Sequence, residues 1–308
     1  MKLVIVGPGA MGTLFAALFS RDNGNNVYLL DYNRARANRL TCRGLKVQGL
    51  SSIKTSPGRV QATTNALLIG HADVVLVLVK SPDTEGAIKR AKPCIGEGTL
   101  VVSLQNGLGN TDVIKKVLGK KKAHNLAGGL TSQGATLLST GIVRHAGRGV
   151  TVLEISGKRR IQVSVLGLAL NRAGLPTKPV HNLAPWTWSK LVINSAINPL
   201  GAIFRVPNGE LARNPSYRVL LGLVAKESAM VARALGIRLR YGDAGAEAVR
   251  VCKATAKNQN SMLQDVLRGK RTEIDSINGA IVEAAKRKGI DAPLNEMLVK
   301  LIKELKKG

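Results

Sequence analysis

Apolar and polar positions along the 308-residue chain fall into two textures. In the first half, short continuous apolar runs alternate with helical patterns. Residues 3–6 predict a buried strand, followed by a glycine turn and a helix from 10 to about 20. Further strands are predicted over 27–30, 74–79 and 100–104. Buried strands separated by helices point to a parallel sheet with crossover helices. Residues 141–155, GIVRHAGRGVTVLEI, have no helical period and predict a pair of strands added antiparallel at the sheet edge. From about Asn182 the 3.6-residue period dominates, predicting helices over 185–204, 216–235, 244–256, 259–268, 271–288 and 293–306. Gly, Pro and Asn punctuate between them. Pro176, Pro179 and Pro185 stiffen the joint, which divides the chain into 1–181 and 182–308. The expected class is α/β, an N-terminal Rossmann-type doubly wound sheet with an all-α C-terminal domain.

Composition narrows this picture. Hydrophobic residues make up 44% and charged residues 21%, the balance of a globular chain with a sizeable core. Aromatics are only 3%, so that core rests on Leu, Val, Ile and Ala. No run approaches the roughly 18 apolar residues of a membrane span. Met1 and Lys2 lead straight into LVIVG, which predicts no secretory leader. Cys42, Cys94 and Cys252 are far apart and follow no metal-ligand spacing, which predicts no metal site and fits a reducing cytoplasm. Cys94, in the loop-like KPCIGEG, stands open as an exposed thiol or a buried one. The four histidines form no constellation.

The net charge of +27 raises nucleic-acid binding as an alternative. The basic residues are spread along the whole chain, with short clusters only at 120–122, 158–160 and 286–288, and no aromatics interleave with them. A solvated basic surface that attracts anionic ligands is the favoured account.

Residues 7–12, GPGAMG, match G-x-G-x-x-G directly after a strand and at the opening of a helix. Gly7 permits the tight turn, Gly9 lets the backbone approach a pyrophosphate, and Gly12 allows close helix–strand packing. Pro8, Ala10 and Met11 complete the turn, and the helix start offers N–H groups to phosphate. Asp31 lies 19 residues beyond Gly12, where a carboxylate chelates the adenine ribose of NADH. Asn33, Arg34 and Arg36 could instead hold the 2′-phosphate of NADPH, but Asp31 would repel that phosphate, and charge alone leans to NADH.

One helical stretch is odd. In WSKLVINSAINPLGAI, residues 188–203, Lys190, Asn194 and Asn198 stand four apart among apolar residues. That spacing puts an ammonium and two carboxamides on one helix face. Such a stripe is ordinarily a solvated face, but the neighbouring Leu191, Val192, Ile193, Ala196, Ile197 and Leu200 argue that the helix is buried on most sides. Pro199 could mark only a kink.

With GPGAMG, LVLVKSPDTEGA, SLQNGLGN and NGEL, this stretch resembles the ketopantoate reductase family in motif order and spacing from residue 3 to about 300. The resemblance implies reduction of 2-dehydropantoate to pantoate with NADPH, on the route to pantothenate and coenzyme A. It makes Lys190 the general acid. Asn194, Asn198 and Asn208 would hold the substrate's hydroxyl and neighbouring oxygens, and Ser261 its carboxylate. Asn106 and Lys80 would lie at the cofactor–substrate junction, Glu273 near the cofactor and the lysine, and Ala135 against the cofactor. Plainer readings stand beside these: Lys80 as an edge charge, Ser261 as a helix cap, Glu273 as a surface partner of Arg268. The resemblance also implies a cytoplasmic enzyme, with a homodimer as one option. A reductase of another small 2-keto or 3-hydroxy acid, and a nucleotide-sensing protein that binds nucleic acid, remain as alternatives.

Overall fold

The apolar runs of the first half become strands with both faces covered. In a computed structural model, which describes residues 1–155 and 157–305, these are β1 (Lys2–Val6), β2 (Asn26–Leu30), β3 (Lys46–Gly49), β4 (Ile53–Lys54), β5 (Val60–Thr63) and β6 (Val74–Val77). They are followed by β7 (Leu100–Ser103), β8 (Leu126–Thr131), β9 (Gly134–Ser139), β10 (Ile142–Gly147), β11 (Thr151–Glu154) and β12 (Thr177–Val180). The larger sheet has the order β12-β11-β8-β7-β6-β1-β2-β5, parallel throughout except where β11 meets β8.

The two-residue side-chain period sorts each continuous apolar strand into two cores. Leu3, Ile5, Val74, Leu76, Leu100 and Val102 pack on one face, with α1 (Ala10–Phe19) and a helix near the end of this region, Arg160–Arg172. Val4, Val6, Val75, Val77 and Val101 pack on the other. There they meet Ala87, Ile88 and Ala91 of a helix over Thr84–Ala91, and Ile114 and Leu118 of one over Asn110–Leu118. Between α1 and those lies α2 (Arg34–Arg43); the three just described are α3, α4 and, for Arg160–Arg172, α5. Helices on both faces make the sheet doubly wound.

A second sheet, β4-β3-β10-β9, packs on the α1 face through Val47 and Val143. Residues 141–155 therefore do not form a paired edge addition. β10 belongs to this small sheet, parallel to β3, and β11 to the large one. The chain changes sheets at Gly149, where a Cβ would lie 2.2 Å from the Ser132 carbonyl oxygen.

The rest is helical: α6 (Ala184–Phe204), α7 (Asn208–Arg213), α8 (Pro215–Ala234), α9 (Ala244–Ala254), α10 (Ser261–Leu267), α11 (Ala280–Arg287) and α12 (Pro293–Glu304). The helix expected over 271–288 begins instead with a π segment, Asp275–Gly279, that leads into α11. α7 was not expected, because Pro207, Asn208 and Gly209 read as punctuation. Its first N–H groups donate to the carbonyls of Asn258 and Ala256, at 3.0 Å each, so a distant loop caps it. Residue 306, the last of the helix expected over 293–306, lies outside the described residues.

The chain forms two compact units: Met1–Gln105 with Asn110–Leu183, and Asn106–Gly109 with the chain from Ala184 onward. A four-residue loop of the first half thus belongs to the helical unit.

Candidate active site

In the α/β unit, the strand order reverses between β1 and β6, which is where open sheets of this kind bind ligands. The glycine turn sits there. Gly7 has φ +102°, and a Cβ would lie 2.7 Å from Val79 Cγ1 just beyond β6. At Gly12 a Cβ would meet the Gly7 carbonyl oxygen at 2.1 Å. Neither position tolerates a side chain. Gly9 differs: nothing lies within 4 Å of where its Cβ would be. No protein atom explains that glycine, and the open space suits close approach of a pyrophosphate to the backbone. The turn leads into α1, whose first turn carries no acidic residue and no side-chain cap. Pro8 is buried, while Ala10 and Met11 are half-buried beside it. Lys80 follows β6 and is half-buried at the same strand ends. Gln105, which the sequence reading overlooked, ties these ends together through Nε2, donating to the Val79 carbonyl at 2.9 Å and to Thr84 Oγ1 at 2.7 Å.

Asp31, just beyond β2, is tied into the turn that follows it. Its carboxylate accepts from the backbone N–H groups of Tyr32 and Asn33, at 2.6 and 3.1 Å, and from Nε and Nη2 of Arg36. The side chain is 0% exposed. Its charge is therefore compensated and its oxygens are engaged within the turn. Arg36, whose pKa is raised by the hydrogen bond to Asp31, also stacks on Tyr32 with its guanidinium 4.9 Å from the ring centroid. Arg90 lies 5.8 Å from the same ring, and Arg34, the first residue of α2, is exposed. Ala135 lies in β9 of the small sheet, half-buried against the core that includes α1, and not at the strand ends of the large sheet.

In the helical unit, α6 runs between two apolar cores. Trp188, Leu191 and Ala202 enter one, and Val192, Ile193, Ala196, Ile197 and Leu200 the other. The polar stripe occupies the remaining face. Lys190 Nζ donates to Asn106 Oδ1 at 2.8 Å, and Asn106 Nδ2 donates to Glu273 Oε2 at 3.2 Å. Glu273 is 8% exposed, so it is a buried carboxylate and not a surface one. Burial lowers the Lys190 pKa to about 8, against the Glu273 carboxylate, which pulls it upward. Asn106 reaches this place because its loop docks on the π segment: Leu108 N–H donates to the Ser276 carbonyl at 2.9 Å. Gly107, at φ +80°, leaves no room there for a Cβ, which would lie 2.4 Å from that carbonyl oxygen.

Asn194 and Asn198 continue the stripe, the latter 6% exposed, and neither amide finds a partner among the described residues. Asn208 opens α7, and its Nδ2 donates to Thr255 Oγ1 at 2.9 Å. Ser261 is exposed in the first turn of α10 but does not cap it. The cap is Asn260, whose Oδ1 accepts from Leu263 N–H at 3.0 Å and whose Nδ2 donates to the Ile197 carbonyl at 3.2 Å. Asn260 thereby ties the Ser261 turn to α6, a role missed in the sequence. Its trace there is Gly201, three residues after Asn198, where a Cβ would lie 2.2 Å from Asn260 Nδ2.

Cys94 is buried with its Sγ 3.5 Å from the Ala66 carbonyl, and burial pushes its pKa up, which rules out the exposed-thiol reading. His145 is held in the small sheet by Ser51 and Gln133. Among the described residues no group of three or more His, Cys, Asp or Glu could hold a metal ion, and no helix is long and apolar enough to cross a membrane.

Comparison with known proteins gives a consistent result. The family described as ketopantoate reductase PanE/ApbA matches residues 3–157, and its C-terminal family matches 182–306. The 2-dehydropantoate 2-reductase of Pyrococcus horikoshii is 38% identical over 98% of this chain and 97% of its own length. The crystal structure of a ketopantoate reductase of this family from Ralstonia eutropha superposes with a TM-score of 0.88 at 31% identity, covering 100% of this chain and 99% of that one. The structure of D-mandelate dehydrogenase with NADH gives a TM-score of 0.87 at 25% identity, over 100% and 99% of the two chains.

Proposed function

The chain belongs to the ketopantoate reductase family, and on that premise we propose that it reduces 2-dehydropantoate to pantoate with NADPH, taking the proton from Lys190. The observation that carries this reading is the line Lys190–Asn106–Glu273, half-buried at the lysine and the amide and buried at the carboxylate. Hydride addition to a ketone leaves an alkoxide, which needs an acid within hydrogen-bond reach. An amine with a pKa of about 8 is mostly protonated at neutral pH yet gives its proton up readily. The Asn106 carbonyl aims the ammonium, and Glu273 keeps it charged despite burial. Asn194 and Asn198 offer uncommitted donors and acceptors to orient the substrate's hydroxyl and carbonyl. Asn208, beside Asn260, and the exposed Ser261 hydroxyl would hold its remaining oxygens and carboxylate. After transfer, the neutral lysine is reprotonated from solvent.

Gly7, Pro8, Gly9, Ala10, Met11 and Gly12 would hold the cofactor pyrophosphate, with Lys80 at the same strand ends; Ala135, in the small sheet, is not placed beside them. The cofactor, when bound, supplies the hydride. NADPH is favoured over NADH by the turn after β2. With Asp31 neutralised by Arg36, the carboxylate no longer repels a 2′-phosphate; Arg36 and Arg90 lie over Tyr32, and the exposed Arg34 opens α2 beside them in the chain. We take 1–181 as the cofactor half and 182–308 as the substrate half, apart from the loop Asn106–Gly109. Three free cysteines suit a reducing cytoplasm. Exposed Val219 and Leu223 on α8 offer an apolar strip for a homodimer, which light scattering would read as twice the chain mass.

Purified protein mixed with 2-dehydropantoate should consume NADPH, and NADH more slowly. No turnover with either cofactor overturns the reading. The 25% identical D-mandelate dehydrogenase makes a panel of 2-keto acids the natural control. The nucleic-acid alternative gains nothing from the comparisons, and the surplus of positive charge is consistent with anionic substrate and cofactor.

A further inference from the structure

Pro199 lies inside α6, so it supplies no N–H to the carbonyl four residues earlier, that of Ser195. That carbonyl is buried with its residue, which is 0% exposed. The donor it receives is a side chain. Asn278, also 0% exposed and within the π segment, donates through Nδ2 to the Ser195 carbonyl at 2.8 Å and to Asn295 Oδ1 at 2.9 Å. The Asn278 Oδ1 meets no donor, so the amide is held through its NH₂ alone.

Asn295 anchors the other end. Its Nδ2 donates to Glu227 Oε1 at 2.8 Å and to Ser228 Oγ at 3.0 Å. The Glu227 carboxylate also accepts the backbone N–H groups of Leu294 and Asn295, capping α12 from α8. Ser228 Oγ in turn meets Ser195 Oγ at 2.8 Å. A polar seam thus runs through an apolar interior and converges on one gap in α6.

Two ties now join the same pair of segments. One is Lys190 to Glu273 through Asn106, and the other is the Ser195 carbonyl to Asn278. The ends of the ties lie five residues apart on each side: Lys190 and Ser195 on α6, and Glu273, in the bend just before the π segment, and Asn278 within it. Between Glu273 and Asn278 the backbone is tied by the Ser276 and Ile277 N–H groups, which donate to the Glu273 carbonyl at 3.1 and 3.0 Å, so a shift at Asn278 is passed on to Glu273.

We propose that Asn278 is a positioning residue for the Lys190–Glu273 pair, holding the π segment in register with α6 through the carbonyl that Pro199 leaves open. The proposal rests on the reading of Lys190 as the proton donor. It assigns Pro199 a purpose beyond a kink: it creates the acceptor by which the two segments are aligned.

The test uses Asn278→Ala, Pro199→Ala and the double variant P199A/N278A, with wild type and Lys190→Ala as references. N278A should lower kcat roughly 10–100-fold with little change in KM. The alkaline limb of its kcat/KM profile should also move, because the distance between Glu273 and Lys190 changes. In the double variant, the backbone N–H that P199A restores closes the Ser195 carbonyl. The urea midpoint should return to that of P199A while kcat stays low. If N278A does not fold, the double variant decides alone. A kcat within about twofold of the P199A value in the double variant, or of wild type in N278A, overturns the proposal. So does a double variant whose midpoint fails to recover. An inactive wild type, or a Lys190→Ala enzyme with normal kcat, instead counts against the proposed function. Normal turnover in N278A beside an inactive Lys190→Ala counts against this proposal alone.

Discussion

The two units build their sites from opposite materials. The glycine turn of the α/β unit is made of side chains that are missing, within six consecutive residues. The site of the helical unit is made of side chains that are present, drawn from positions 106, 190 and 273. A backbone cradle needs only local geometry, because consecutive peptide N–H groups already point at one spot. A tuned ammonium needs burial, an acceptor and a counter-charge, and no short stretch can supply all three.

The sharpest way to break this contrast is at Lys190. Lys190→Ala should lower kcat by roughly 10²–10⁴-fold and leave the dissociation constant of NADPH unchanged, as single-turnover kinetics and fluorescence titration would show. A comparable loss of cofactor affinity would mean that the two sites are not separable.

The glycines sharpen the other side. Gly9→Ala meets open space, so its melting temperature should match wild type while NADPH binding weakens by about tenfold or more. Gly12→Ala forces a Cβ against the Gly7 carbonyl and should lose stability as well as binding. Thermal melts paired with cofactor titration distinguish them, and a destabilised Gly9→Ala would refute the assignment of that space to the cofactor.

Arg36→Ala should have a smaller effect. It frees the Asp31 carboxylate, so KM for NADPH should rise several-fold while KM for NADH changes little, narrowing the preference. An unchanged ratio of kcat/KM for the two cofactors would remove Arg36 from cofactor selection.

The smallest effect is a shift in pH dependence. Lys190 must be protonated to act, so kcat/KM should fall as pH rises through about 8. The Glu273 carboxylate raises the Lys190 pKa. Glu273→Gln removes that charge, and the limb should move to lower pH. Movement to higher pH would contradict the electrostatic role.

Much of this was legible along the chain, and the parts that were not share a cause. Strands β1, β2, β6 and β7 announce themselves because both faces are buried and the apolar run is unbroken. The small sheet is covered on one side by α1 and shows mixed burial, so β3, β4 and β9 carry no comparable run. α7 was hidden by Pro207 and Gly209, whose usual meaning is reversed when a remote loop caps the helix. Asp31 was visible as an acidic residue after β2, but its bond to Arg36 depends on the conformation of the turn.

What the sequence determined by itself was the fully buried strands, the change from an α/β half to a helical one, the glycine cradle and the presence of a lysine stripe on an otherwise apolar helix. These follow from periodicity and from the steric limits of single residues, both of which act over a few positions. Only the tertiary structure decided that Asn106 bridges Lys190 to Glu273, that Asn260 holds the Ser261 turn, and that Asn278 fills the gap left by Pro199. The reason is physical: a buried amide must satisfy its hydrogen bonds wherever the packed chain offers partners, and those partners lie tens of residues away.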